Sequence, residues 1–474
     1  MPLCRFGLAG RGLRERVKNL SNPGDTDARA ITGIADLAAY LEAGCKPEAD
    51  YAIGTEHEAF GFHPPGFSAP SYAGADGIDA LLHAIAARDG FAPILDGQNM
   101  IGLKGDGASI SLEPGGQFEL SGAPLADLHG TKAELAAHVA RLREVTPALG
   151  LGFAPLGFHP VARREDMPWM PKGRYKIMRA YMPKVGSRGL DMMLRTCTVQ
   201  VNLDFSSEAD MVAKMRVGSA LQPLATALFA NSPFFEGKPN GRLSNRAWVW
   251  QDTDNQRSGI PQAIFEDGFG FEAYVNWLLN VPMYFVYRDG VYHDVAGASF
   301  KDFMNGKLAA LPGERATIGD FADHVTTAFP DVRLKRYIET RGADSGSPAM
   351  MLAQSALWTG IFYDKAALAA ASALIQDLSY PQILAMRDKV PESGLSTPFG
   401  KGTLRDLAKQ VVAIAADGLK ARARFNQAGE DERIYLAPLE DIAAGGPTQA
   451  EHWLARYHGD WKQDVTRIFT EARF

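Results

Sequence analysis

The segment Thr196-Cys-Thr-Val-Gln-Val-Asn-Leu-Asp-Phe205 alternates without a slip. Val199, Val201, Leu203 and Phe205 take one side, and Thr198, Gln200, Asn202 and Asp204 the other. A period of two is a strand signature, and it places one apolar and one polar face on the same sheet. The polar face either meets water, as in many antiparallel sheets, or lines a site.

Three further segments repeat this texture. In Tyr51-Ala-Ile-Gly-Thr-Glu-His-Glu-Ala-Phe-Gly-Phe62, Glu56 and Glu58 are two apart and share a side. Their Cα atoms would lie about 6.6 Å apart. Two like charges at that range cost about 2 kcal/mol at an effective dielectric of about 20, which a cation on that face would remove. Solvation of both carboxylates is the plainer alternative. In Ile110-Ser-Leu-Glu-Pro-Gly-Gly-Gln-Phe-Glu-Leu-Ser-Gly122, Pro114-Gly115-Gly116 bends the chain between Glu113 and Glu119. The bend is either an ordinary hairpin turn or a close backbone approach to a ligand. In Arg333-Leu-Lys-Arg-Tyr-Ile-Glu-Thr-Arg341, an extended chain puts Arg333, Lys335, Tyr337, Glu339 and Arg341 on one face. That face is either an ion-pair array or a site in which Glu339 holds a metal and Arg341 grips a carboxylate bidentately.

Lys172, Arg174, Lys176, Arg179, Lys184 and Arg188 form a cationic run with no acid from Pro171 to Leu190. Met182-Pro183 and Gly186 predict a loop there. The run is a solvated basic face or a clamp for phosphates and carboxylates. Acidic strands suit Mg²⁺ and a basic segment suits anions, and a nucleotide with Mg²⁺ satisfies both. No P-loop, dinucleotide fingerprint, zinc spacing or nucleophile elbow is present; Gly7-Leu-Ala-Gly10-Arg-Gly12 lacks the fingerprint spacing. Oxygen donors without clustered Cys favour Mg²⁺ over zinc.

The balance of 49 Lys plus Arg against 55 Asp plus Glu argues against nucleic acid as a partner. Three cysteines (Cys4, Cys45, Cys197) in 474 residues exclude a disulfide scaffold and fit a reducing compartment. The longest apolar stretch, Ser355 to Leu378, is broken by Asp364 and Lys365, so no membrane span is expected. The cytoplasm is the expected location; Arg5, Arg11, Arg14 and Arg16 leave an Arg-rich targeting segment as the alternative. Helices are expected over Ile34 to Leu41, 76–89, 131–146 (Thr131 and Glu134 in capping-box spacing), Lys365 to Leu378 and Leu404 to Ala421. The chain divides into a leader over 1–48, an α+β cup over 49–345 and a mainly helical part over 346–474 packed on it.

Gly54-Thr-Glu-His-Glu-Ala-Phe-Gly-Phe62, Ser109 to Pro124 and Arg195 to Asp210 closely resemble segments of the plant-type glutamate–cysteine ligases. So do Ala230-Asn-Ser-Pro-Phe234 with Glu236-Gly-Lys-Pro-Asn240, Pro282-Met-Tyr-Phe285, and Arg333 to Asp344. The resemblance runs from about residue 50 to the C-terminus, and it places the chain with the family's bacterial members. It implies a glutamine-synthetase-like fold, in which a curved antiparallel sheet forms a cup for ATP, metal and amino acids. It implies ATP-dependent joining of the γ-carboxyl of glutamate to the amine of cysteine, the first step of glutathione synthesis. By the same resemblance Glu56, Glu58, Glu113, Glu119 and Glu339 would bind Mg²⁺, and Gln200, Asn202 and Lys184 would serve the nucleotide. Arg257 and Arg341 would hold glutamate and the transferring phosphoryl group, Arg174 and Arg179 would stand on the same anion side, and Tyr284 would line the cysteine pocket. Plant members carry two disulfides; their positions fall here on Lys132 with Leu352 and on Val295 with Ala310, none of them Cys. A ligase with another amine acceptor, a non-catalytic Mg-nucleotide binder and a metallohydrolase are the alternatives. Oligomeric state is not read from the sequence.

Overall fold

The computed structural model describes residues 27–105 and 107–474. Cys4, the four N-terminal arginines and Gly7 to Gly12 lie outside them. Nine strands form the main sheet: β1 Ile53–Phe62, β2 Ala92–Asp96, β3 Asn99–Gly105, β4 Ala108–Leu112, β5 Phe118–Ser121, β6 Gly152–Ala154, β7 Thr198–Leu203, β8 Val332–Leu334 and β9 Ile338–Asp344. The spatial order is β8-β9-β7-β1-β5-β4-β3-β2, with β6 pairing the end of β1. Every pairing in it is antiparallel. β1 is central: Ile53 to His57 pair with β7, Glu56 to Ala59 with β5, and Phe60 to Phe62 with β6. The expected α+β architecture built on an antiparallel sheet is the one observed.

All six residues of β7 are buried, so its polar face does not meet bulk water. Val199, Val201 and Leu203 join one cluster of buried side chains with residues from Ile31 to Ala443. Helices α1 Ile34–Glu42, α2 Ile78–Asp89, α3 Leu128–Val145, α4 Gly173–Val185, α5 Gly189–Arg195 and α6 Glu208–Leu228 precede the helical C-terminal part. α6 packs across β9, and the helix Pro348–Phe362 packs on β7 and α3.

Three local expectations are corrected. The capping box at Thr131 is not formed. Asp127 caps α3 instead by accepting from Gly130 N at 2.8 Å, and the Glu134 carboxylate turns back to accept from Ala123 N at 2.8 Å. The basic run is helical rather than a loop. Pro183 falls in the last turn of α4, where it removes one bond before the helix ends, and Gly186 N closes on Met182 O. Its apolar side buries Tyr175, Ile177, Met178 and Met182, while Lys176, Arg179 and Lys184 are exposed. Finally, Arg333 to Arg341 is not one strand. Lys335 to Tyr337 turn between β8 and β9, so Arg333 faces Glu339 across a hairpin. The stretch Ser355 to Leu378 is two helices, with Asp364 capping the second through Ala367 N. No described helix is long and apolar enough to cross a membrane.

Cys197 is fully buried and Cys45 half-buried, and neither is in a disulfide. Burial, reinforced by Glu58, pushes the Cys197 thiol far up, so it behaves as a small apolar side chain. Lys132 is exposed on α3 and Leu352 lies on the neighbouring helix, a place where the residue types allow no bridge. Denatured, non-reduced protein is expected to show three free thiols, and activity is expected not to rise when reductant is withdrawn. Loss of two thiols with a reversible gain in activity would contradict this.

Candidate functional site

The polar face of the sheet opens onto a cavity of about 130 Å³. Its floor carries Glu56 and Glu58 from β1, Glu119 from β5, Thr198 and Gln200 from β7, Arg333 from β8 and Arg341 from β9. Register explains the convergence. Glu58 stands directly opposite Glu119, and Glu56 directly opposite Gln200. Glu113 enters from the β4–β5 turn, which is a hairpin closed by Glu113 N to Gln117 O at 3.0 Å. That turn is also a close approach: a Cβ on Gly115 would collide with the Leu194 carbonyl at the end of α5. Of the two alternatives raised for Pro114-Gly115-Gly116 the hairpin turn is observed, and the close approach is to the protein's own backbone at Leu194. α4 and α5 supply an opposite wall with Arg174, Tyr175, Met178, Met192 and Met193, and Arg246, Trp250 and Phe329 close a third side.

The carboxylates are short of counter-charge. Like charges placed opposite one another on a sheet are destabilising. Among the described residues Glu56, Glu58, Glu113 and Glu119 have no ion-pair partner; Glu58 accepts from Thr198 N at 2.8 Å, Glu56 from Asn202 Nδ2 at 3.3 Å, and Glu119 from the Ser121 hydroxyl. Burial, then repulsion from Glu339 and Glu119, raises Glu56 to about 7. Burial, then Glu119 and Glu113, raises Glu58 well above the carboxylate range, and burial with Glu113 raises Glu119. Four hard-oxygen donors that repel one another suit Mg²⁺ in donor chemistry. No three acidic, His or Cys side chains among the described residues converge into a ready-made metal cage, and Mg²⁺ is commonly held by one or two carboxylates with waters and substrate phosphates.

Glu339 is different. Its Oε2 meets Arg333 Nη2 at 2.6 Å and Arg341 Nη1 at 2.8 Å, and its Oε1 meets Lys335 Nζ at 3.1 Å. Burial opposes its charge, but Arg333, Lys335 and Arg341 outweigh burial and hold its carboxyl well below the usual range. Both oxygens meet cations, so Glu339 anchors an arginine cluster, and it is not among the residues lining the cavity.

Of the residues expected at the site, Glu56, Glu58, Glu113, Glu119, Gln200, Arg174 and Arg341 line the cavity. Asn202 stands beside it through Glu56. Four further expected residues do not line the cavity. Arg257 is wholly buried, bound to Asp254 Oδ2 at 2.6 Å and to the Thr327 and Pro282 carbonyls, so its donors are used inside the protein. Tyr284 lies under that guanidinium, 3.7 Å from ring centre to Arg257, with its hydroxyl on Asp254. Arg179 stacks outward on Trp169 at 4.6 Å, and Lys184 is exposed at the end of α4. Arg246 and Arg333 were missing from the expected site. Arg333 was already on the right face in the alternation; Arg246 carries no local signal, because only the fold of its short helix Asn245–Trp250 aims it inward. Lys172 is buried beside Arg174, its Nζ without a hydrogen-bond partner and 5.6 Å from the centre of the Tyr175 ring.

The arrangement combines uncompensated carboxylates with four guanidiniums in one cavity, which suits a polyanion carried with a divalent cation. The model of glutamate–cysteine ligase family 2 (GCS2) matches residues 52–471. The chloroplastic glutamate–cysteine ligase of Nicotiana tabacum is 52% identical over 474 residues, covering 100% of this chain and 89% of the relative. The chloroplastic glutamate–cysteine ligase of Arabidopsis thaliana is 52% identical over 439 residues, covering 93% of this chain and 82% of the relative. Among solved structures, glutamate–cysteine ligase from Francisella tularensis in complex with AMP superposes with a TM-score of 0.52 at 13% identity, covering 90% of each chain. That last likeness concerns the fold.

Proposed function

The chain belongs to glutamate–cysteine ligase family 2, and on that premise we propose that the carboxylate-lined cavity is where its substrates meet. It is an ATP-dependent ligase that joins the γ-carboxyl of glutamate to the amino group of cysteine. The observation that carries the placement is the pairing of four uncompensated carboxylates with Arg174, Arg246, Arg333 and Arg341 around a single cavity.

A carboxylate oxygen is a poor leaving group, so it must be activated. An oxygen of the γ-carboxylate attacks the γ-phosphorus of ATP and ADP departs. The amine of cysteine then attacks the acyl carbon, and phosphate leaves with that oxygen. Both steps depend on positioning and on neutralising charge. Glu56, Glu58, Glu113 and Glu119 are the residues that would hold Mg²⁺; when bound, the ion neutralises phosphate charge. Arg341 presents a planar fork beside Gln200, suited to the glutamate carboxylate or the phosphoryl group in transfer. Glu339 keeps that fork oriented. Arg174 and Arg246 take the anion-holding part that the resemblance had given to Arg257 and Arg179, while Arg333, held by the Thr326 and Ala328 carbonyls and by Glu339, adds positive charge to the cavity wall.

The absence of Cys at Lys132, Leu352, Val295 and Ala310 supports reading the chain as a bacterial member of this plant-type family. The cysteine count supports a cytoplasmic location. ATP consumption is to be followed with glutamate alone, with cysteine alone and with both, and then with a panel of amines. Sustained turnover requires both amino acids, and the product mass is their sum less one water. A preferred acceptor other than cysteine would move the chain to the wider carboxylate–amine ligases, and no turnover with any pair would leave a nucleotide binder.

A further inference from the structure

β9 does not pair evenly with β7. Thr340 stands opposite Val201 and Ala343 opposite Val199, so Arg341 and Gly342 together oppose the single residue Gln200. This is a β-bulge, a device that re-aims a side chain. Its place is informative, because the bulged residue is the arginine that enters the cavity, and Gln200, the residue it opposes, accepts from that guanidinium.

A bulge leaves backbone groups without ladder partners, and here all four are satisfied without a backbone group of β7, whose Thr198 hydroxyl adds one longer contact to Arg341 O at 3.4 Å. Arg341 N donates to Asp331 O at 3.0 Å, and Arg341 O accepts from Arg246 Nη2 at 2.9 Å. Gly342 N donates to Gln222 Oε1 at 2.9 Å, and Gly342 O accepts from Thr226 Oγ1 at 3.0 Å. Gln222 and Thr226 are one turn apart on α6, so one helix face holds both ends of the Gly342 peptide pair. The fit is close: a Cβ on Gly342 would collide with Gln222 Oε1 and come within 3.2 Å of Thr226 Oγ1. Gln222 is 1% exposed and its Nε2 has no partner. A buried amide that leaves half its capacity unused calls for a reason beyond packing.

We propose that Gln222 and Thr226 are positioning residues for the ligation reaction: from within the core they fix the bulge at Arg341–Gly342 and so set the aim of the Arg341 guanidinium. Neither lines the main cavity, although Thr226 borders a smaller pocket beside it together with Arg341 and Gly342; they act through Arg341. The inference rests on the reading of Arg341 as an anion-holding group.

Gln222→Met keeps the shape and removes the acceptor; Thr226→Val keeps the shape and removes the donor; Thr226→Ser retains it. Each is to be compared in the wild-type and Arg341→Lys backgrounds, with thermal unfolding measured in parallel. In the wild-type background Gln222→Met and Thr226→Val are expected to lower kcat/KM for glutamate by about tenfold, and Thr226→Ser to stay within about twofold. In the Arg341→Lys background the same two changes are expected to add less than about twofold, because the group they position is already gone. Equal losses in both backgrounds would show a general structural lesion and overturn the proposal. Wild-type kinetics in folded Thr226→Val and Gln222→Met, with Arg341→Lys impaired, would overturn it while leaving the Arg341 reading intact. If Arg341→Lys is itself unimpaired, both fall together. Should Gln222→Met fail to fold, Thr226→Val against Thr226→Ser decides alone.

Discussion

Glu119→Gln and Glu56→Gln are each expected to lower kcat by on the order of a hundredfold at saturating ATP, glutamate, cysteine and Mg²⁺. Gln preserves volume and one carbonyl oxygen, so the Ser121 contact to Glu119 and the Asn202 contact to Glu56 can persist. What disappears is a negative donor for a divalent cation. The second readout separates chemistry from folding. Burial and neighbouring carboxylates already push both groups toward the protonated form, so the ionised state opposes the fold. A neutral amide removes that opposition. Thermal stability of either variant, measured without metal near neutral pH, should therefore equal or exceed that of wild type. Near-normal kcat in both variants would remove these carboxylates from the metal site, and a large fall in stability would make them structural.

Arg341→Lys keeps the charge and loses the fork, and kcat/KM for glutamate is expected to fall by roughly tenfold or more, about 1.4 kcal/mol per decade. The geometry gives the reason. One nitrogen, Nη1, already meets both Gln200 Oε1 and Glu339 Oε2, and the residue also lines the cavity. A single ammonium cannot hold both contacts in the plane and still present donors to a substrate anion. Kinetics indistinguishable from wild type would leave Arg341 a purely structural partner of Glu339.

The cup was legible where its chemistry is written in short-range alternation. Thr198 to Leu203 and the Glu56/Glu58 pair needed only a period of two, and both appear as expected on the lined face. What stayed hidden depends on partners distant in sequence. Arg257 reads as an available arginine until Asp254 and the carbonyls of Thr327 and Pro282 are seen around it. Glu339 reads as one more carboxylate in a series, yet the β8–β9 turn brings Arg333 and Lys335 onto it, and nothing local marks that turn beyond one residue pattern that suits an extended chain as well. The basic segment reads as a loop because Pro183 and Gly186 punctuate it, whereas both fall at the end of a helix that its buried Tyr175, Ile177 and Met178 already specify. The bulge at Arg341 is the same lesson in reverse. Thr340 and Ala343 both face the core three positions apart, which a regular strand forbids, but only the register of β7 reveals it.

Activation of the γ-carboxyl by phosphoryl transfer is tested directly by the fate of its oxygens. Glutamate labelled with heavy oxygen in both γ-carboxyl positions is to be turned over with ATP and cysteine, and the phosphate and peptide products weighed. Attack of a carboxylate oxygen on phosphorus followed by amine attack on carbon predicts one labelled oxygen in each phosphate released and one in each new peptide carbonyl. Unlabelled phosphate, formed while γ-glutamylcysteine accumulates, would contradict it.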